Sequence, residues 1–274
     1  MPELPEVDAV RRQLAPVMRG ARFDRVLVRR KDLRRPFPKH FSDRLKGRTV
    51  RNVTRRGKYL LADLSSDETL LMHLGMSGSF AVARRHGSSR SSNSAGPHDH
   101  VVFGMSSGAT ITYNDPRRFG VMDLVPTRSL DHHLSRIGPE PLSSEFNAAS
   151  LAKACAGRRT SLKAALLDQR VVAGLGNIYA SEALHLARLS PRRPASTLAT
   201  PSGEPRESAR RLAAAIKTVL RRAIERSTAR AYRTSRFRVY DRAEEGCQTP
   251  RCPGTIRRIT QAGRSTFYCP VCQK

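Results

Sequence analysis

Two groups of residues in this sequence have types and spacing that can do chemistry. The first is the opening Met1-Pro2-Glu3-Leu4-Pro5-Glu6-Val7. A small residue at position 2 lets an aminopeptidase remove Met1, and the proline left behind is a secondary amine, a group no internal residue supplies. Condensed with a sugar aldehyde, that amine gives a cationic iminium, which is a strong electron sink. Glu3, the next side chain, is an acid within reach of the same carbon. The plainer reading is an ordinary start followed by a first-turn acid favoured by the helix dipole. These residues alone leave both readings open.

The second group is at the other end. Four of the five cysteines fall in the last 28 residues, as Cys247-x4-Cys252 and, after sixteen intervening residues, Cys269-x2-Cys272. Two knuckles joined by a hairpin-sized spacer bring four thiolates to one tetrahedral Zn2+, and four protein ligands leave no open position, so the metal is structural. Two disulfides would need an oxidising compartment, for which nothing in the sequence argues. Cys155, on an apolar helical stretch, is expected to be a small core residue.

The elements that must position these groups follow from pattern. Val7, Val10, Leu14 and Val17 recur at helical spacing, so the opening motif runs into an amphipathic helix whose positive end lies at Pro2. Short β-rich runs at 22–28, 50–53, 59–64, 69–73, 101–105, 110–113 and 121–125 are spaced by turn residues, as in a sandwich or barrel. The stretch 84–97, rich in Ser, Arg and Gly, is expected to be a mobile surface loop. After Gly138-Pro139-Glu140-Pro141 the pattern is helical, over 148–156, 161–169, 177–187 and 205–226. Between the second and third of these, Val172-Ala173-Gly174-Leu175-Gly176-Asn177 supplies glycines for tight turns, giving a helix-two-turn-helix or an ordinary helical hairpin. Residues 236–274 form the zinc ribbon, with Phe237 and Val239 alternating ahead of it and 264–268 as a strand between the knuckles. The expected fold is α+β and multidomain: an N-terminal β-sandwich with a flanking helix over 1–128, a linker over 129–147, a helix-two-turn-helix domain over 148–230 and a zinc ribbon over 236–274.

Composition points to the partner. The 274 residues carry 50 Lys+Arg against 23 Asp+Glu, a net charge of +27. Such a charge repels itself in a compact fold unless a polyanion neutralises it, which makes nucleic acid the expected ligand. Apolar content of 39% is enough for real cores. No apolar run approaches a membrane span, and the N-terminus lacks the basic stretch and apolar core of a signal peptide, so the expected location is cytoplasmic, at the nucleoid through DNA binding.

With these elements in place, the chain resembles the formamidopyrimidine-DNA glycosylase family, which includes endonuclease VIII. Beyond the opening heptapeptide the resemblance rests on Arg56-Gly57-Lys58-Tyr59-Leu60, His73-Leu74-Gly75-Met76-Ser77-Gly78, His98-Asp99-His100 and Asn114-Asp115-Pro116-Arg117-Arg118-Phe119-Gly120. It continues through Gly138-Pro139-Glu140-Pro141-Leu142, Leu166-Leu167-Asp168-Gln169, Gly174-Leu175-Gly176-Asn177-Ile178-Tyr179-Ala180-Ser181-Glu182-Ala183-Leu184 and Arg264-Ser265-Thr266-Phe267-Tyr268-Cys269. In this order the motifs cover nearly the whole chain.

The resemblance implies a bifunctional DNA glycosylase and abasic-site lyase of base-excision repair, acting as a monomer on damaged double-stranded DNA. It implies removal of oxidised purines, namely formamidopyrimidines and 8-oxoguanine, followed by β- and δ-elimination. Pro2 matches the nucleophile, Glu3 the acid at the sugar ring oxygen, Lys58 a DNA-contacting lysine that assists elimination, and Arg264 the finger arginine of the last elimination. Met76, Arg117 and Phe119 match the residues that fill the void left by a flipped nucleotide. His98, Arg158, Lys163 and Asn177 match phosphate contacts, with Arg264 among them. The alternatives are an endonuclease VIII-like specificity for oxidised pyrimidines and a non-catalytic DNA-binding zinc protein. Two departures from the family pattern stand out. The first knuckle is Cys-x4-Cys where Cys-x2-Cys is commoner, and the segment 227–235 is short where family members carry a longer loop that folds over 8-oxoguanine, which places affinity for that base in doubt.

Overall fold

The structure is a computed structural model that describes residues 2–84, 96–226 and 237–274. Most of the 84–97 segment and all of 227–235 lie outside the described residues. The fold divides into two compact units, Met1–Ser135 and Arg136–Lys274, the second holding both the helices and the finger.

The first unit is a β-sandwich with a helix against it. α1 (Leu4–Met18) leads into β1 (Phe23–Val28), a short α2 (Phe41–Leu45), and then β2 (Val50–Arg56), β3 (Tyr59–Leu64), β4 (Glu68–His73), β5 (Ser79–Arg84), β6 (Asp99–Met105), β7 (Ala109–Asn114) and β8 (Val121–Pro126). The strands form two antiparallel four-stranded sheets, ordered β1-β6-β7-β5 and β2-β3-β4-β8. Alternation sets the inner faces, most regularly in β7, where Ala109, Ile111 and Tyr113 point inward. Phe23, Phe103 and Ile111 of one sheet and Leu60, Leu64, Leu70 and Met72 of the other belong to one core, which Val7, Leu14, Val17 and Met18 of α1 extend. Each such side chain contributes about 1.5–3 kcal/mol by leaving water.

Three elements of this unit are absent from the sequence-based expectation: β5, α2 and a one-turn helix over Leu130–Leu134, where a linker was expected. β5 buries little beyond Phe80, with Val82 half-buried, too sparse an alternation to stand out. α2 is one turn long and anchored by Phe41 and Leu45, below the length at which helical periodicity is legible.

The short α3 (Leu130–Leu134) closes the first unit, and the first helix of the second is α4 (Ala148–Cys155). Asn147 caps α4, its side chain accepting from Ser150 N at 3.0 Å while its own N–H donates to Ser150 Oγ at 2.9 Å. Ser161 caps α5 (Leu162–Leu167). α6 (Asn177–Leu186) and the 20-residue α7 (Glu207–Arg226) pack together, α7 through Leu212, Ile216, Leu220 and Ala223. In the double turn before α6 only Gly174 takes a positive φ, +77°, whereas Gly176 is extended and serves as the N-cap. Gln169 holds this turn, donating to Leu175 O at 2.8 Å and accepting from Gly174 N at 2.9 Å.

The finger is an antiparallel hairpin of β9 (Arg257–Gln261) and β10 (Arg264–Tyr268). The alternating Phe237 and Val239 do not form a strand. The backbone N–H groups of Arg238, Val239 and Tyr240 donate instead to the buried carboxylate of Glu182 on α6, each at 2.9 Å. A side chain has taken the place of a neighbouring strand, and it ties the finger's first segment to the helices.

Candidate active site

At the N-terminus Glu3 is the N-cap of α1, its N–H donating to the Glu6 carboxylate at 2.8 Å. Its side chain is only 2% exposed, while Pro2 just ahead of it is half-buried. α1 packs on β2 and β3, the hairpin whose two-residue turn is Gly57-Lys58. Gly57 has φ +57°, a conformation that favours glycine, and the turn directs Lys58 into a position only 7% exposed. A lysine this buried is not a solvated strand residue.

His73 belongs to the same neighbourhood, and the sequence reading missed it as a site residue. It pairs with Tyr59 across β3 and β4, with ring centroids 4.9 Å apart. Burial pushes its pKa down to about 4, and the nearby cations Lys58 and Arg34 push in the same direction. His73 is therefore neutral at pH 7. Its Nδ1 accepts from Gly75 N at 3.0 Å, which leaves the proton on Nε2 as a donor. The signal available in sequence was its place in the His73-Leu74-Gly75-Met76-Ser77-Gly78 motif, but only the strand register sets it beside Lys58.

Met76 and Phe119 are each 41% exposed, two of the three large hydrophobic side chains that stand out of the described surface. The Arg117 guanidinium lies over the Phe119 ring, 4.9 Å from its centroid, a cation–π contact that gathers the planar groups at one place. Apolar groups held in water by short loops are not core residues. His98 is exposed in the turn before β6, whereas His100, two residues on, is buried and donates to the Asp115 carbonyl at 2.9 Å.

In the second unit the four matched residues separate into two kinds. Arg158 pairs with Asp168 at 3.0 Å, and Arg170 also grips that carboxylate. Hydrogen bonds from Arg170 first and Arg158 after it hold Asp168 well below the usual carboxylate range. Arg264 is exposed at the start of β10. Lys163, by contrast, is 1% exposed and donates to Ser265 O and Thr266 Oγ1, both at 2.8 Å. Asn177 Nδ2 donates to the same Ser265 carbonyl at 3.0 Å. Lys163 and Asn177, the two matched phosphate contacts on the helices, both make hydrogen bonds to the finger hairpin here. Both hold the residue that follows Arg264, because a buried ammonium must find acceptors and the hairpin backbone offers them.

The four cysteine sulfurs lie within 4.8 Å of one another. Cys247 and Cys272 are separated by 3.8 Å and Cys252 and Cys269 by 3.6 Å. Tetrahedral zinc with Zn–S bonds of about 2.3 Å requires sulfur separations of about 3.8 Å, so the donor set fits the metal. The longer first knuckle is used, since Thr249 within it donates its N–H to Cys247 Sγ at 3.4 Å.

Residues 1–122 match the formamidopyrimidine-DNA glycosylase N-terminal domain, 137–233 the formamidopyrimidine-DNA glycosylase H2TH domain, and 250–274 the zinc finger found in FPG and IleRS. Formamidopyrimidine-DNA glycosylases of Azorhizobium caulinodans and Rhodopseudomonas palustris are each 55% identical to it, with 100% of both chains covered. The chain belongs to the formamidopyrimidine-DNA glycosylase family. Among solved structures, MutM in complex with DNA containing carbocyclic 8-oxo-G matches with a TM-score of 0.87 at 30% identity, each chain covered in full. Lactococcus lactis Fpg with DNA containing FAPY-dG matches with a TM-score of 0.86 at 31% identity, covering 99% of this chain and 100% of the other.

As a member of the formamidopyrimidine-DNA glycosylase family, the protein is a DNA-repair glycosylase with abasic-site lyase activity that acts on oxidised purines. Its four C-terminal cysteines hold one structural zinc. Among the described residues no helix is long and apolar enough to cross a membrane. The alignments to the two relatives run over 293 residues, 19 more than this chain has.

Proposed function

We propose that Pro2, freed by removal of Met1, attacks C1′ of the damaged nucleotide, so that the N–C1′ bond forms as the glycosidic bond breaks and the base leaves. Glu3 protonates the sugar ring oxygen, opening the ring to an iminium that withdraws electrons from C2′. Loss of a C2′ proton then breaks the C3′–O bond, and a second elimination breaks the C5′–O bond. Lys58 contacts the DNA backbone and assists the eliminations, with neutral His73 as a hydrogen-bond donor beside it. Met76, Arg117 and Phe119 fill the space the flipped nucleotide leaves. His98, Arg158 and Arg264 meet phosphates, and Arg264, braced by Lys163 and Asn177, serves the last elimination. The substrate is damaged double-stranded DNA, formamidopyrimidines and 8-oxoguanine in particular, bound by a monomer working in the cytoplasm at the nucleoid. The working modules are residues 1–128, 148–230 and 236–274, with 129–147 as the linker.

The observation that carries this reading is the pairing, within one compact unit, of a buried Glu3 and Lys58 with exposed Met76 and Phe119. A scaffold that hides its proton carriers and offers its apolar groups to water is suited to a base stack. The test is borohydride reduction in the presence of duplex DNA bearing an abasic site, followed by mapping of the adduct. The expected result is a covalent product at Pro2, and mature protein that cannot be trapped would reject the assignment. Relative excision rates check the substrate class: faster removal of thymine glycol than of formamidopyrimidine would favour the endonuclease VIII-like specificity.

A further inference from the structure

Asp115 is fully buried, and the chemistry proposed above makes no use of it. Its Oδ1 accepts from Ser77 Oγ at 2.6 Å, and its Oδ2 accepts from Gly120 N at 2.8 Å and from the Tyr113 hydroxyl at 3.2 Å. Ser77 Oγ in turn accepts from Arg117 N at 3.2 Å. A single carboxylate therefore joins the loop bearing Met76 to the loop bearing Arg117 and Phe119. Its backbone reaches a third segment, with Asp115 N donating to His98 O at 3.0 Å and His100 Nε2 donating to Asp115 O at 2.9 Å.

Sterics make this junction tight. Gly75 has φ +62°, and a Cβ on it would collide with the backbone of Phe119 and Gly120. A Cβ on Gly120 would run into the Tyr113 hydroxyl. Tyr113 is itself seated against Phe80 in the core, at 5.0 Å between ring centroids. Desolvation first, then Asp115, raises the Tyr113 pKa far above its ordinary value, so the phenol keeps the proton it donates. The two loops can approach only where side chains are missing, and Asp115 satisfies the polar groups buried there.

We propose that Asp115 is the positioning residue of the void-filling group, fixing Met76, Arg117 and Phe119 as one rigid wedge before DNA arrives. Preorganisation matters because side chains that must order on binding subtract from the interaction they make. The inference rests on the wedge reading of those three residues. Asp115 acts through them and touches no reacting atom.

The experiment uses full-length enzyme and a formamidopyrimidine duplex with 2-aminopurine beside the lesion, whose fluorescence rises as the stack opens. Asp115→Asn keeps the shape and removes the charge from three hydrogen bonds, and Ser77→Ala removes one bridge only. Asp115→Asn should slow the fluorescence rise and single-turnover base excision by about tenfold or more. Cleavage of single-stranded abasic DNA, which has no void to fill, should stay within about twofold of wild type. Ser77→Ala should shift the first two in the same direction by a smaller factor, which keeps the test open if Asp115→Asn fails to fold. If both variants match wild type in fluorescence while Phe119→Ala abolishes the rise, the wedge stands and the role of Asp115 falls. If Phe119→Ala leaves the rise intact, the wedge reading fails first. Equal losses on single-stranded DNA would also overturn the inference, since they would mark a general structural defect.

Discussion

In the N-terminal unit a continuous core between two sheets runs from Val7 and Leu14 to Met122 and Leu124, whereas the finger's own core is Val239, Ile256, Phe267 and Cys269. The difference governs how each holds its functional side chains. In the sandwich, register and close packing place Lys58, His73 and the loops beside them, so that Glu3 and Lys58 can be buried at little risk to the fold. A four-residue core cannot do this. The finger relies on discrete bonds: the zinc thiolates, Lys163 and Asn177 on Ser265, Glu182 on three backbone N–H groups, and Gln273, which donates to Leu189 O and accepts from Cys269 N. A site held by packing fails gradually, and one held by a few strong bonds fails at each of them.

Zinc should therefore produce the largest contrast. Structural zinc contributes roughly 10–16 kcal/mol to small metal-folded domains, so Cys269→Ser is expected to lose the metal and weaken DNA binding by at least about a hundredfold, while the sandwich unfolds at its usual denaturant concentration. Metal content, a binding isotherm and a denaturation curve together decide it. Normal DNA binding without zinc would remove the finger from the interface and dissolve the contrast.

Glu3→Gln comes next. It should reduce excision of a damaged base by about 10²–10⁴-fold, the range expected for a lost general acid, with a smaller loss on a preformed abasic site, where no base has to leave. Equal losses on the two substrates would contradict the acid role. Because the position is set by packing, the variant's denaturation midpoint should move little.

Lys163→Met replaces a buried ammonium by an apolar chain of similar length and takes donors from Ser265 O and Thr266 Oγ1. The cost is about 2 kcal/mol, equivalent to about 30-fold in a rate that depends on Arg264. It should appear as accumulation of the β-elimination product over the δ product. An unchanged product ratio would leave Lys163 a structural residue only.

The smallest effect concerns pH in the sandwich. His73 takes up its proton at about 4 when folded and near 6.5 when unfolded. Between those values the unfolded chain binds more protons, so stability falls as pH drops from about 6.5 to 4 and shows no further change from this group below that. The contribution is at most about 3 kcal/mol. His73→Gln should flatten this part of the curve in chemical denaturation between pH 7 and 4.5, and an unaltered slope would place the histidine in a more solvated setting.

Much of this molecule was legible before its structure. Helix α1, seven of the eight sandwich strands, the helices α4 to α7 and the four zinc ligands follow from periodicity, turn residues and cysteine spacing, because each is a local pattern. β5, α2, α3 and β9 were not legible, since they bury too few residues to leave a period. Phe237 and Val239 looked like a strand because alternation cannot reveal that a distant Glu182 will take the backbone donors. His73 was within a recognised motif yet not singled out, since its neighbour Lys58 is fifteen positions away and comes near only through strand pairing.

The amino-acid sequence by itself determined the chemistry on offer: an amine at position 2 beside an acid, four thiolates at zinc spacing, and a surplus of cations for a polyanion. Those are properties of residue types and short spacings. Tertiary structure alone decided which groups face water and which do not. Met76 and Phe119 are apolar and stand exposed, while Lys163 and Asp115 are charged and lie buried. The physical reason is that burial depends on what the rest of the chain brings to each side chain. Two loops meeting at glycines push the apolar pair outward, and acceptors or donors from distant segments make it possible to bury the charges.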